Sequence, residues 1–266
     1  MTFCDAFLLG AIQGVTEFLP VSSSAHVDVF AHLSGLPRPS DDFGIFVNCG
    51  SLLAVLIFFR YRIRNIWRGG VDFISGRKTA DRSFFATFVL SSIPVTIVYA
   101  AGMLLRIRID SIKISAVLLI VFAVVLYFCD QTPVRDRKIS GRDSILTGIV
   151  QSLSFFPGVS RLGICMSAMR YLKYSREESF RHSLLLYIPP VSAACCAQLI
   201  KIAAGKVNEN LLIGLTGLAS SFLFGLIFLP FVLKFLQKHT LLPVIAYRIL
   251  FGALLLAREM KIISAF

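Results

Sequence analysis

Charge is scarce in this chain. Asp, Glu, Lys and Arg make up 16% of its 266 residues, against roughly a quarter in ordinary soluble domains. Hydrophobic residues make up 56% and the mean hydropathy is +0.77, which excludes a soluble globular domain and marks an integral membrane protein. Acidic residues are the scarcer sign, 15 against 27 Lys and Arg, for a net charge of +12. In a soluble protein that surplus would suggest nucleic acid as a partner. Here the basic residues fall mostly between apolar runs, so the surplus reads as a positive-inside topology signal and no nucleic acid is expected. The six cysteines, Cys4, Cys49, Cys129, Cys165, Cys195 and Cys196, lack CxxC or Cys/His spacing. They read as small buried hydrophobes, without a zinc site or a disulfide framework. There is no low-complexity tract and no Pro/Ser-rich linker, which points to one membrane domain over 1–266. The first residues, MTFCDAFLLGAIQG, have neither a basic n-region nor a small-residue cleavage site and read as part of the mature fold.

Apolar runs long enough to cross a bilayer of about 30 Å recur at 43–59, 83–104, 112–129, 183–204, 211–233 and 241–257. Two further apolar segments do not behave like spans. Segment 5–21 is interrupted by Asp5, Gln13 and Glu17 and stops at Pro20, after which EFLPVSSSAH places a carboxylate, three hydroxyls and an imidazole within ten residues. Segment 143–159 ends in Pro157 and Gly158, followed by Ser160 and Arg161.

A shift of 138 positions lays one segment on the other: Asp5 on Asp143, Gly10 on Gly148, Gln13 on Gln151, Phe18 on Phe156, Val21 on Val159 and Ser22 on Ser160. That pattern indicates an internal duplication. Each copy precedes three spans, an odd number, so the two copies enter from opposite sides and the repeat is inverted. The expected fold is all-α and polytopic, with about six transmembrane helices and two re-entrant helix hairpins. Repeat one covers about 1–130 with its hairpin at 5–37, and repeat two about 140–266 with its hairpin at 143–180. Proline breaks each hairpin near the midplane, and hydroxyl residues are good caps for the helix that follows. Irregular backbone at that depth must be buried in protein or line a wet cavity. With the first hairpin open to the outside, loops 60–82, 130–143 and 234–240 fall inside together with the mouth of the second hairpin around Arg170, Lys173, Arg176 and Arg181, and these regions hold about twice the Lys and Arg of the outside loops; Arg106, Arg108 and Lys113 fall on the other side.

Two helix N-termini meeting in such a cavity make an anion site. Arg161 would add a five-donor fork suited to phosphate oxygens, or pair with Glu17 to tie the hairpins together. Gln13 and Glu17, four apart on one helix face, offer oxygens to a hard cation. They are too few for a cage of protein ligands alone, so a Mg or Ca ion would be shared with substrate phosphates. Ser22 and Ser23 precede His26 by four and three residues, which allows a hydroxyl to lie beside an imidazole base. On that spacing alone a capping role for the serines is the better reading. Catalysis becomes the better one when hydroxyl, imidazole, carboxylate and arginine share one buried site, because these are the parts of phosphoryl transfer.

At QGVTEFLPVSSSAH (13–26) and FPGVSRLG (156–163) the sequence resembles the undecaprenyl-diphosphatase family, the bacitracin-resistance type of phosphatase. The resemblance extends through FGIFVNCGSLLAVLIFF (43–59) and over essentially the whole chain. It implies removal of the terminal phosphate of undecaprenyl diphosphate, which recycles the lipid carrier for peptidoglycan and other envelope polymers. It also implies a divalent cation and a site on the outer side of the bacterial plasma membrane. Carried onto this chain, it places the acid pair at Gln13 and Glu17, the histidine at His26, and either Ser23 or His26 as nucleophile. Ser22, Ser24, Gly158 and Ser160, with Arg161, would bind the diphosphate. Ala25 stands where the family has glycine, a small change in helical backbone and a large one at positive φ. Leu162 and Cys165 stand where it has hydroxyl residues.

The expected mechanism has Ser23, activated by His26, attacking phosphorus while Arg161 and a cation at Glu17 and Gln13 stabilise the charge. Its partners would be the prenyl diphosphate and membrane lipids; self-association stays open. The rival reading is an inverted-repeat transporter or lipid flippase, since broken helices at the midplane also serve secondary transport.

Overall fold

The computed structural model describes residues 1–105, 107, 111–136, 138–207 and 209–260. Arg106 and Arg108, which bear on the topology, lie outside them. Among the described residues there is no strand, and eleven α-helices run in the order α1 (Phe3–Thr16), α2 (Ser23–Leu33), α3 (Asp41–Phe58), α4 (Arg60–Ile74), α5 (Ala80–Leu104), α6 (Ile112–Asp130), α7 (Gly141–Gln151), α8 (Arg161–Tyr171), α9 (Arg176–Ala203), α10 (Leu211–Lys238) and α11 (Leu242–Glu259). The protein is an all-α polytopic membrane protein. Five helices, α3, α5, α6, α9 and α10, are long and apolar enough to cross a membrane. The sixth expected span forms α11, but its 18 residues carry Arg248, Arg258 and Glu259, so composition alone does not mark it as one.

The paired segments form helix pairs α1–α2 and α7–α8. At about 1.5 Å per residue, α1 is roughly 21 Å long and α2, α7 and α8 about 16 Å each, too short to cross. The two pairs share their local geometry. Thr2 caps α1 by accepting from the Asp5 amide at 3.2 Å while its own amide donates to the Asp5 carboxylate at 2.7 Å. Ser140 caps α7 by accepting from the Asp143 amide at 3.2 Å and donating its hydroxyl to the Asp143 carboxylate at 2.7 Å. At the breaks, Ser22 and Ser160 both hold positive φ, 70° and 65°. A non-glycine residue adopts that conformation only when its surroundings enforce it.

Packing crosses between the halves. Helix α1 lies on α10, and α7 lies on α5. Both crossings need glycine: a Cβ at Gly10 would sit 2.4 Å from the Gly217 carbonyl oxygen, and one at Gly148 would sit 1.9 Å from that of Ser91. Helix α3 also packs on α10 and on α9, and α6 packs on α11. The contact of α3 with α9 corrects the reading of the cysteines. Cys49 and Cys195 are joined in a disulfide, with Cα atoms 5.9 Å apart across 146 residues of sequence. Linear spacing carries no sign of a pair made by two helices crossing.

Candidate functional site

The two breaks face a common cavity of about 360 Å³. Glu17, Ser22, Ser23 and Ser24 line it from the first hairpin, and Gly158, Ser160 and Arg161 from the second. Seven expected site residues therefore share one space, although they lie about 140 residues apart in sequence.

Ser23 opens α2, and its hydroxyl donates to Glu17 Oε2 at 2.5 Å. The same carboxylate oxygen accepts from Gln13 Nε2 at 2.8 Å, and Gln13 Nε2 also donates to Asn48 Oδ1 at 3.2 Å. Gln13 thus orients the carboxylate towards the serine. Ser22 and Ser24 face each other with hydroxyl oxygens 3.4 Å apart. Ser160 accepts from the Gly163 amide at 3.2 Å, capping α8. Gly158, at φ 88°, passes so close to the Ser115 carbonyl oxygen that a Cβ would lie 2.2 Å from it.

The expected serine–histidine pair is absent. His26 Nδ1 lies 2.8 Å from the Ser22 carbonyl oxygen and Nε2 2.8 Å from the Tyr247 hydroxyl, while its ring stacks on Phe251 with centroids 4.4 Å apart. Both ring nitrogens are engaged away from Ser23, because the helical turn between the two residues carries the imidazole round to face α11. The Ser23 hydroxyl bonds instead to the carboxylate of Glu17. Ala25 lies within helical α2, where glycine's freedom at positive φ is not needed.

Arg161 opens α8 and makes no ion pair with Glu17. One terminal nitrogen donates to the Tyr99 hydroxyl at 3.3 Å, and the guanidinium lies over the rings of Tyr99 and Tyr187 at 5.5 and 5.4 Å. Nε and Nη1 are buried without a hydrogen-bond partner among the described residues. Tyr99 is held in turn by donating to the Ser154 carbonyl at 2.9 Å, and Tyr187 by donating to that of Asn48 at 3.3 Å. Cys165 lies behind, its thiol 3.5 Å from Gln151 Oε1.

A second arginine ties the breaks together. Arg248 of α11, 1% exposed, donates to the carbonyls of Pro20 at 2.7 Å, Gly158 at 3.1 Å, Val159 at 3.2 Å and Leu119 at 3.3 Å. Pro20 and Gly158 are equivalent positions in the 138-residue register. Asn48, Tyr99, Tyr187 and Arg248 were not among the expected site residues. Each is a single polar residue in an apolar run, which is the signal that could have found them.

For a divalent cation the cavity offers one carboxylate, Glu17, and the amide side chain of Asn48, while Gln13 does not line it and lies buried behind, its Nε2 on both of them. No cluster of three or more His, Cys, Asp or Glu exists among the described residues. This set of hard oxygens fits a cation shared with a ligand's own oxygens and does not make a protein-only cage.

The family model described as "Bacitracin resistance protein BacA" matches residues 6–254. The chain belongs to that family. Among curated members, the undecaprenyl-diphosphatase of Elusimicrobium minutum is 33% identical over 261 residues, covering 96% of this chain and 98% of that protein. That of Marinobacter nauticus is 32% identical over 265 residues, covering 97% and 99%. That of Gloeobacter violaceus is 33% identical, covering 95% and 90%. The match runs from within α1 to within α11 and so takes in both hairpins.

Proposed function

We infer that this protein is a membrane phosphatase that hydrolyses undecaprenyl diphosphate to undecaprenyl phosphate and inorganic phosphate. The observation that carries the reading is a single cavity lined both by Ser23, whose hydroxyl is bonded to Glu17, and by Arg161, two of whose nitrogens are buried without a hydrogen-bond partner. A guanidinium at membrane depth with no carboxylate partner calls for an anion.

Glu17 accepts the Ser23 proton as Oγ attacks the terminal phosphorus. The bond from that phosphorus to the bridging oxygen breaks, and undecaprenyl phosphate leaves. Water then attacks the phosphoserine, releasing phosphate and restoring the serine. Arg161, held flat by Tyr99 and Tyr187, presents Nε and Nη1 to the phosphoryl oxygens, where charge develops. Glu17 and Asn48, oriented by Gln13, would hold a Mg or Ca ion, which when bound would neutralise diphosphate charge. His26 orients the Ser22 backbone and is not the base.

An apolar groove of about 460 Å³ adjoins the polar cavity, and Thr16 lines both. Ala11, Ile12, Val15, Val29, Phe30 and Phe251 form most of its wall. It suits the isoprenoid chain, leaving the diphosphate at the hairpin tips. The chain's place is the bacterial plasma membrane with the site open to the outer side, where spent carrier is returned for envelope polymer synthesis. The relatives' names do not favour the transporter reading.

Release of phosphate from undecaprenyl diphosphate by purified protein in detergent, where no gradient exists, tests the function. Loss of release in Ser23→Ala and Arg161→Ala is expected. Undiminished release in both would overturn it.

A further inference from the structure

Helix α4, Arg60–Ile74, differs from the spans α3 and α5 that it joins. It has 15 residues, four of them arginine, and is too short and too charged to cross a membrane. It packs chiefly on α5 through Ile66 and Gly69, and at Gly69 a Cβ would lie 2.1 Å from the Asp81 carbonyl oxygen. Its other sides are open.

What those open sides carry is ordered. Arg60, Arg64 and Arg68 recur every fourth residue and form one row, all exposed. Beside that row Trp67, Val71 and Ile74, spaced four and three residues apart, form a second, 73%, 46% and 88% exposed. Tyr61 adds another exposed ring, 70% open, against the Arg60 guanidinium at 4.8 Å. Among the described residues no carboxylate pairs with Arg60, Arg62, Arg64 or Arg68. A short helix with an apolar stripe bordered by unpaired cations suits the plane where acyl chains meet head groups. Arginine stems can lie along the apolar boundary while their guanidinium groups reach outward to phosphate.

We propose that α4 is an interfacial helix that seats Trp67, Val71 and Ile74 among the acyl chains and gathers anionic phospholipid head groups with Arg60, Arg64 and Arg68. The occupant is the anionic lipid surface itself. Charge complementarity and the continuity of α4 with the spans α3 and α5 both favour it. This surface is separate from the hairpin cavity, so it stands whatever that cavity binds.

Trp67 is the only tryptophan in the chain, so its fluorescence reports on this helix alone. The full-length protein is reconstituted in phosphatidylcholine vesicles containing phosphatidylglycerol, with either lipid brominated on its acyl chains at equal mole fraction. Quenching is expected from bromines near the head-group end of the chain, with brominated phosphatidylglycerol the better quencher. The local excess of anionic lipid should be of order fivefold and should shrink as salt rises. The triple variant Arg60→Gln, Arg64→Gln, Arg68→Gln should keep the quenching but lose the preference for phosphatidylglycerol, and the corresponding triple lysine variant should retain it. Trp67 left unquenched by either lipid would overturn the seating. Equal quenching by both lipids in the unsubstituted protein would overturn the anionic selection.

Discussion

Ser23 and Glu17 meet in a 2.5 Å hydrogen bond across the turn that Pro20 creates, while His26, three residues along α2, faces α11. The break in the helix makes the meeting possible. Ser23 is the first residue of α2, and Glu17 follows the last turn of α1, so six residues of turn bring a hydroxyl back onto a carboxylate that unbroken helix would carry away.

That geometry separates three variants. Ser23→Ala should abolish phosphate release. Glu17→Gln should lower kcat by about 10²- to 10⁴-fold, the usual contribution of a positioned base. His26→Ala should cost less than either, because it loosens the Ser22 backbone without removing a reacting group. Steady-state phosphate release measures all three, and a His26→Ala loss as deep as that of Ser23→Ala would return the base to the imidazole.

Arg161→Lys keeps the charge but loses the planar fork and its stacking between two tyrosine rings. A fall in kcat of about 10²- to 10³-fold is expected, the scale of losing one donor to developing charge. Tyr99→Phe removes only the hydroxyl that holds one guanidinium nitrogen, and its effect should be smaller and fall on the same parameter. Parallel kcat and KM determinations check both. A change confined to KM would mean that Arg161 binds ground state and transition state alike.

Arg248 is a structural prediction. Its guanidinium serves four carbonyls, and Arg248→Met would leave those at Pro20, Gly158 and Val159 short of a donor at the two breaks. The expected loss is at least about 3 kcal/mol, since each bond to a charged group contributes roughly 1.5–3 kcal/mol. A lowered thermal midpoint in detergent, with Arg248→Lys only partly restored because a single ammonium cannot span both tips, is the result to look for.

The hairpins were legible because their signals are local: a proline, hydroxyl caps, and a second copy to compare. The gathering of Glu17, Ser23 and Arg161 followed from the duplication. His26 was misplaced because a spacing of three or four residues gives nearness along a helix but not which neighbour its face meets. Arg248 has no signature in the sequence because its partners are backbone carbonyls, which have no residue type to recognise. Cys49 and Cys195 pair through the crossing of α3 and α9, a relation that exists only once the helices are packed.

The disulfide yields a count. Denatured without reductant, the protein should expose four alkylatable thiols, those of Cys4, Cys129, Cys165 and Cys196, and after reduction six. Intact-mass spectrometry after alkylation reads the difference. Cys49→Ser should raise the unreduced count to include Cys195, leaving five, whereas six thiols in the untreated protein would show that α3 and α9 are held by packing alone.

The apolar groove predicts a discrimination between substrates of one chemistry and different length. Ala11 lines the groove from α1, and Ala11→Phe would fill part of its 460 Å³ without touching the polar cavity. A long prenyl diphosphate must then give up apolar contacts or displace the new ring, and KM should rise about tenfold, the effect of roughly one or two methylenes of lost fit. A short prenyl diphosphate whose chain does not extend past Thr16 should be hydrolysed with kcat/KM unchanged. The two measurements together are decisive. Equal losses on both substrates would place the damage in the catalytic cavity, and no loss on the long one would send the isoprenoid chain out by another path.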